Sequence, residues 1–263
     1  MKAAVAALIA ACGMFAQSPA ARPAFDEFEV ATIKPTAPDW SGGRVIRMPS
    51  AHQFVAKNHT LKTLVQAAYN LTPRAISGGP AWIDSDRYDI LAGTPGEVQP
   101  NLDEQMSMLR TLLADRFKLA FHREPKEFPL YALTVVRNGQ KLKESAAPER
   151  LPELTNVVFP DRIRLPARNA TMAQFASMLQ RAVLDRPVVD RTGLSGKYDF
   201  DLEWADDESQ FGGQLRKRAS ADDSPDKPDL FAAVQQQLGL RLEAAKGPIE
   251  ALVIDQAERP SAN

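Results

Sequence analysis

The chain has 263 residues, 44% of them hydrophobic and 25% charged, which fits a folded protein with one large domain or two small ones. With 32 Lys and Arg against 33 Asp and Glu, the net charge is −1 and there is no long basic stripe. That argues against nucleic acid as the main partner, because phosphate contacts need clustered cations.

Lys2 precedes the apolar run Ala3 to Ala11, followed by small residues and Gln17-Ser18-Pro19. A charged start, a short apolar core and a small-residue exit predict a secretory signal peptide over residues 1–24, and hence a periplasmic or extracellular protein. The apolar run is too short to span a bilayer. Cys12 is the only cysteine, and Ile9-Ala10-Ala11-Cys12-Gly13 also reads as a lipobox. A membrane anchor through Cys12 is therefore the alternative. If Cys12 leaves with the signal peptide, the mature chain has no disulfide, thiol nucleophile or Cys-based metal site.

Phe28 to Ile33 alternates as a strand and is stopped by Lys34-Pro35. After a loop carrying Trp40, Arg44 to Met48 and Gln53 to Ala56 read as a hairpin. Thr60 is placed as the N-cap of a helix with Leu61, Leu64, Val65 and Ala68 on one face, halted by Pro73. Trp82 follows the turn Gly78-Gly79-Pro80, and Arg87 to Ala92 is the next strand. A helix over Leu102 to Phe117 leads to strands Lys118 to His122 and Leu130 to Arg137.

A Lys-, Glu-, Ala- and Pro-rich stretch then reads as a linker, after which the pattern returns. Asn156 to Phe159 and Arg162 to Leu165 form a hairpin. Asn169-Ala170-Thr171 answers Asn58-His59-Thr60, and Thr171 with Gln174 makes a capping box for a helix carrying Met172, Phe175, Ala176, Leu179 and Val183. Tyr198, Phe200, Leu202 and Trp204 alternate with acids, a strand with one buried face. Beyond the polar loop 206–228, Asp229 caps a last helix ending at Gly239, and Leu240 to Glu243 and Ile249 to Asp255 are the closing strands.

A period of about 110 residues is a duplication of domains, too long for a solenoid repeat. The expected fold class is α+β, with two tandem halves, each a mostly antiparallel or mixed sheet with two helices on one face. The expected domains are 25–138 and 155–263, joined by the linker 139–154.

Several segments resemble a large family of uncharacterised exported proteins, expanded in acidobacteria related to Solibacter. They are Phe28 to Pro35, Leu113 to Leu119 with His122-Arg123-Glu124, Arg186 to Asp190 with Thr192 to Phe200, Gln237 to Leu242 and Val253 to Asp255. The resemblance implies an exported protein without an assigned reaction. Similar domains are attached to sensor-peptidases of the beta-lactam-sensor type. Each half is also similar to the short N-terminal domain of secretins and TonB-dependent transporters, which binds other proteins.

Catalytic and metal constellations are not expected. The three histidines, His52, His59 and His122, lack ligand spacing. Ser195 in Gly193-Leu194-Ser195-Gly196 lies between strands, unlike a nucleophile elbow, and Asp84 with Asp86 lacks the EF-hand pattern. The candidate binding residues are Trp40, Trp82 and His122, the two tryptophans because loop aromatics anchor partners. The leading expectation is a non-catalytic binding module of the cell envelope that takes a protein, peptide or envelope component and needs no cofactor. The alternatives are an envelope hydrolase using His122 with Glu124 or a loop acid, and a small-ligand sensor with its pocket between the halves.

Overall fold

Alternating and i, i+3, i+4 patterns become strands and helices in sequence order. The computed structural model describes residues 24–147, 149–159, 162–205, 207, 210 and 227–261. First come β1 (Val30–Pro35), β2 (Val45–Ser50), β3 (Gln53–Thr60), α1 (Leu61–Tyr69), β4 (Ile76–Gly78), β5 (Arg87–Gly93), α2 (Leu102–Phe117) and β6 (Ala120–Val135). Then follow β7 (Lys143–Glu144), β8 (Glu153–Leu154), β9 (Val157–Val158), β10 (Ile163–Ala170) and α3 (Met172–Met178), which runs on as a π-helical turn (Leu179–Val183). β11 (Val188–Asp190), β12 (Tyr198–Trp204), α4 (Leu230–Leu238) and β13 (Leu240–Gln256) complete the order. The fold is α+β.

Among the described residues, three sheets result. β1-β5-β3-β2 is antiparallel, and β7-β12-β10-β8 is likewise, with β9 also on β10. The third sheet, β11-β6-β13-β4, is mixed. Tyr198, Phe200, Leu202 and Trp204 are all buried, as their alternation predicts. On the other face Asp201 and Glu203 meet Arg164, and Asp201 also meets Arg168.

The predicted strand breaks near residues 123–129 and 244–248 do not exist. β6 and β13 are single strands of 16 and 17 residues, paired antiparallel along almost their whole length. Proline explains the difference. Pro125, Pro129 and Pro248 lie where this ribbon is two-stranded, since β4 covers only 252–254 and β11 only 131–133. A proline nitrogen facing away from its one neighbour removes no ladder hydrogen bond.

The ribbon serves two cores. Leu119, Leu252 and Ile254 pack with α1 and α2, while Leu133, Leu240 and Leu242 pack with α3 and α4. The stretch 139–154 supplies the edge strands β7 and β8. The predicted signal peptide with Cys12 lies outside the described residues, apart from residue 24. So does most of the loop 206–228. Among the described residues, no helix is long and apolar enough to cross a membrane.

Two positions recur in detail. β3 and β10 each break register just before a helix, at Asn58 and Asn169, with φ of 61° and 52°. Asn tolerates this left-handed conformation better than most residues. The backbone N–H of Asn58 donates to Asp89 Oδ1 at 2.9 Å, and that of Asn169 to Asp199 Oδ1 at 2.7 Å. Each acid comes from the next strand and satisfies a donor that the bulge leaves outside the ladder. That contact holds the Asp199 carboxyl below its ordinary range.

Candidate functional site: a cavity between α1 and the turn after α3

The three residues singled out in the sequence stand on three separate elements. Trp40, 37% exposed, lies in the β1–β2 loop with Lys57 Nζ 3.6 Å from its ring centroid. Gly42 lies flat against that ring, where a Cβ would come within 2.3 Å of it. Trp82 is half-buried, edge-on to Tyr88 and covered by Arg259, whose Nε donates to Asp86 Oδ2 at 2.8 Å. Asp84 meets Lys62 at 2.9 Å, so both acids of that turn are matched by cations.

His122 is exposed on β6. Its Nε2 is 3.1 Å from Glu124 Oε1, and its Nδ1 is 2.8 Å from Asp255 Oδ1. Glu124 also meets Lys126 at 2.9 Å. The contact with Glu124 first, and that with Asp255 second, raise the His122 pKa above its ordinary value. An imidazolium donating from both nitrogens is a structural cation. General-base chemistry needs a ring nitrogen free toward a substrate, and here both face carboxylates. Ser195 is an exposed residue of the β11–β12 connection.

A different histidine lines a partly open cavity. A cavity of about 510 Å³ lies between the two halves. On one side are Thr63, Gln66 and Ala67 of α1 and the turn Asn70 to Pro73; on the other are Gln180, Arg181, Ala182, Leu184 and Asp185. Arg44, just before β2, and His59, at the bulged end of β3, complete the lining.

Local sequence explains both walls. Leu61, Leu64, Val65 and Ala68 bury one face of α1, each of the first three stabilising the fold by roughly 1.5–3 kcal/mol. Thr60 caps the helix as predicted, its hydroxyl accepting from Thr63 N–H. The helix ends before Pro73, at Asn70, in a left-handed conformation with φ of 50°. Across the gap, Thr171 and Gln174 form the predicted capping box of α3, and the last turn widens into a π-helix. Such turns displace side chains from regular helical positions and often mark functional sites. Gln180, in this turn, accepts from Val188 N–H at 3.0 Å through Oε1 and donates to the Asn70 carbonyl through Nε2.

His59 is only 7% exposed. Burial first, then the Arg44 charge, push its pKa down to about 4, so the ring is neutral near pH 7. The Thr63 hydroxyl donates to the Thr60 carbonyl at 2.9 Å, so its oxygen accepts from His59 Nδ1, 3.2 Å away. With the proton on Nδ1, Nε2 presents a lone pair; the Val45 carbonyl also lies within hydrogen-bond reach of the ring and partly offsets the lowering of its pKa. That Nε2 is buried without a protein partner, as is Asn70 Oδ1, whose amide nitrogen donates to Ser177 Oγ at 2.8 Å. Buried polar atoms are almost always satisfied, so two acceptors without a protein partner at one cavity mark where water or a ligand can donate.

The sequence pattern treats His59 as a structural histidine at a helix start. One signal was available: the answering position in the second half is Ala170, fully buried. The same bulge and capped helix form there without an imidazole. Packing alone does not require His59.

A family model described as a protein of unknown function (DUF3738) matches residues 62–257, so the chain belongs to that family. Among curated proteins, and among solved structures, nothing matches it.

Proposed function

We propose that this protein acts in the cell envelope as a non-catalytic binding protein whose ligand, a peptide or small envelope component, occupies the cavity between α1 and the π-helical turn. The observation that carries this reading is the buried, unpartnered Nε2 of His59 in a cavity lined by both halves. Its volume is in the range of small-molecule sites, and its walls mix apolar side chains with a few convergent polar groups. The signal-peptide pattern of residues 1–24 supports export. The engagement of both His122 nitrogens weighs against the hydrolase alternative.

A ligand that binds only the folded state raises stability by mass action. The low-molecular-weight fraction of an envelope extract should therefore raise the melting temperature of the wild-type chain. It should leave Ala182→Trp, which fills the cavity from the π-helical side, unchanged. Equal shifts in both proteins, or none in either, would remove the cavity from the account.

A further inference from the structure

The polar groups around the cavity differ in sign and role, and this asymmetry narrows the ligand; the argument rests on the binding reading above. The deep groups are acceptors: His59 Nε2 and Asn70 Oδ1. They need N–H or O–H donors from whatever fills the space. The groups nearer solvent are cationic. Arg44 and Arg181 are exposed, and neither is in a salt bridge among the described residues. Arg181 donates to the soft sulfur of Met178 at 3.8 Å and feels the Asp103 carboxylate, while partial burial of its guanidinium leaves it short of hydration. The one acid in the lining, Asp185, lies 3.8 Å from Arg186 Nε. The remaining walls, Ala67, Leu71, Pro73, Ala182 and Leu184, are apolar.

We infer that the cavity takes a short peptide or acylated amino acid by its free carboxylate, with Arg44 and Arg181 on the anion and His59 Nε2 accepting from a ligand N–H. Guanidinium groups match carboxylates in charge and in hydrogen-bond geometry. Backbone amides of the ligand supply the donors that the two orphaned acceptors lack. An aliphatic ligand side chain suits the apolar wall, where a fully hydroxylated sugar acid would leave its own groups unpaired. The neutral state of His59 belongs to this arrangement. A protonated ring would offer no lone pair, and Arg44 helps to keep it deprotonated.

The test is calorimetric titration of the full chain with N-acetyl-alanyl-leucine and with its C-terminal amide. The acid binds, and the amide binds at least about tenfold more weakly, the scale of one charge-assisted hydrogen bond. Arg44→Ala and Arg181→Ala each lose about tenfold or more toward the acid and little toward the amide. His59→Asn, which keeps a donor toward Thr63 but removes the Nε2 acceptor, weakens both ligands. Equal affinity for acid and amide, undiminished binding of the acid by both arginine variants, or no binding of the acid at millimolar concentration would overturn the inference. If the acid fails while envelope extract still shifts wild type and not Ala182→Trp, the carboxylate assignment falls and the cavity reading stands. If the extract also fails, both fall.

Discussion

Asn70, the left-handed residue that ends α1, donates from Nδ2 to Ser177 Oγ on α3 at 2.8 Å, across 107 positions of sequence. This bond ties the two halves together beside the cavity, next to the contact between Gln180 and the Asn70 carbonyl. Ser177→Ala leaves the Asn70 amide without its protein partner and should cost about 1 kcal/mol in urea unfolding. Amide exchange should quicken locally, in residues 70–73 and 177–184, while β6 and β13 keep their protection.

The two bulges give a second expectation. Asn58→Gly and Asn169→Gly keep the backbone unstrained, because glycine adopts positive φ freely, and their cost is that of the lost side-chain bonds, from Asn58 to the Gly42 carbonyl and Arg87 and from the buried Asn169 to the Arg150 carbonyl. The corresponding alanine variants should each lose about 1–2 kcal/mol more than their glycine counterparts, the cost of a left-handed L-residue. Urea midpoints at constant slope are the readout. Equal stability of the glycine and alanine variants would mean that φ is not what selects Asn at these sites.

His59 makes stability depend on acid. Its folded pKa of about 4 lies below the ordinary 6.5, so at pH above 6.5 the ring is neutral both folded and unfolded and costs nothing. Below that, the unfolded chain takes up a proton that the folded chain refuses, and stability falls until about pH 4. The loss is at most about 3 kcal/mol. His59→Asn should flatten the stability profile between those limits, measured by urea unfolding from pH 7 to 4.

His122 works with the opposite sign. Its pKa is raised by Glu124 and then Asp255, so its contribution is complete below pH 6.5 and disappears as pH rises through the elevated folded value. Histidine NMR titration should place His122 above 6.5 and His59 well below it. Because His122 is exposed, 1 M salt should draw its midpoint back toward the ordinary value.

Much of the fold was legible because one-sided burial writes itself into spacing. Tyr198 to Trp204 and Leu61 to Ala68 bury the faces that their periods mark, and Thr60, Thr171 and Asp229 cap as their residue types suggest. The long ribbon was not legible, because Pro125, Pro129 and Pro248 are strand breakers everywhere except on an unpaired edge, and pairing partners are not encoded locally. The cavity was anticipated only as a pocket between the halves. Its residues come from three separate stretches, around 44, 59–73 and 180–185, and no spacing rule connects them. Loop tryptophans stand out in the sequence, but the buried polar atom at His59 becomes visible only once Ala170 is seen doing the same backbone task without it.

The most direct test of the binding site is the ¹⁵N spectrum of the His59 ring at pH 7, before and after adding the small-molecule fraction of an envelope extract. The account predicts a proton on Nδ1 and none on Nε2 in the free protein, with the Nε2 resonance moving as the melting temperature rises. A rise in melting temperature with an unmoved Nε2 would place the ligand elsewhere, and a proton found on Nε2 in the free protein would contradict the acceptor role on which the account depends.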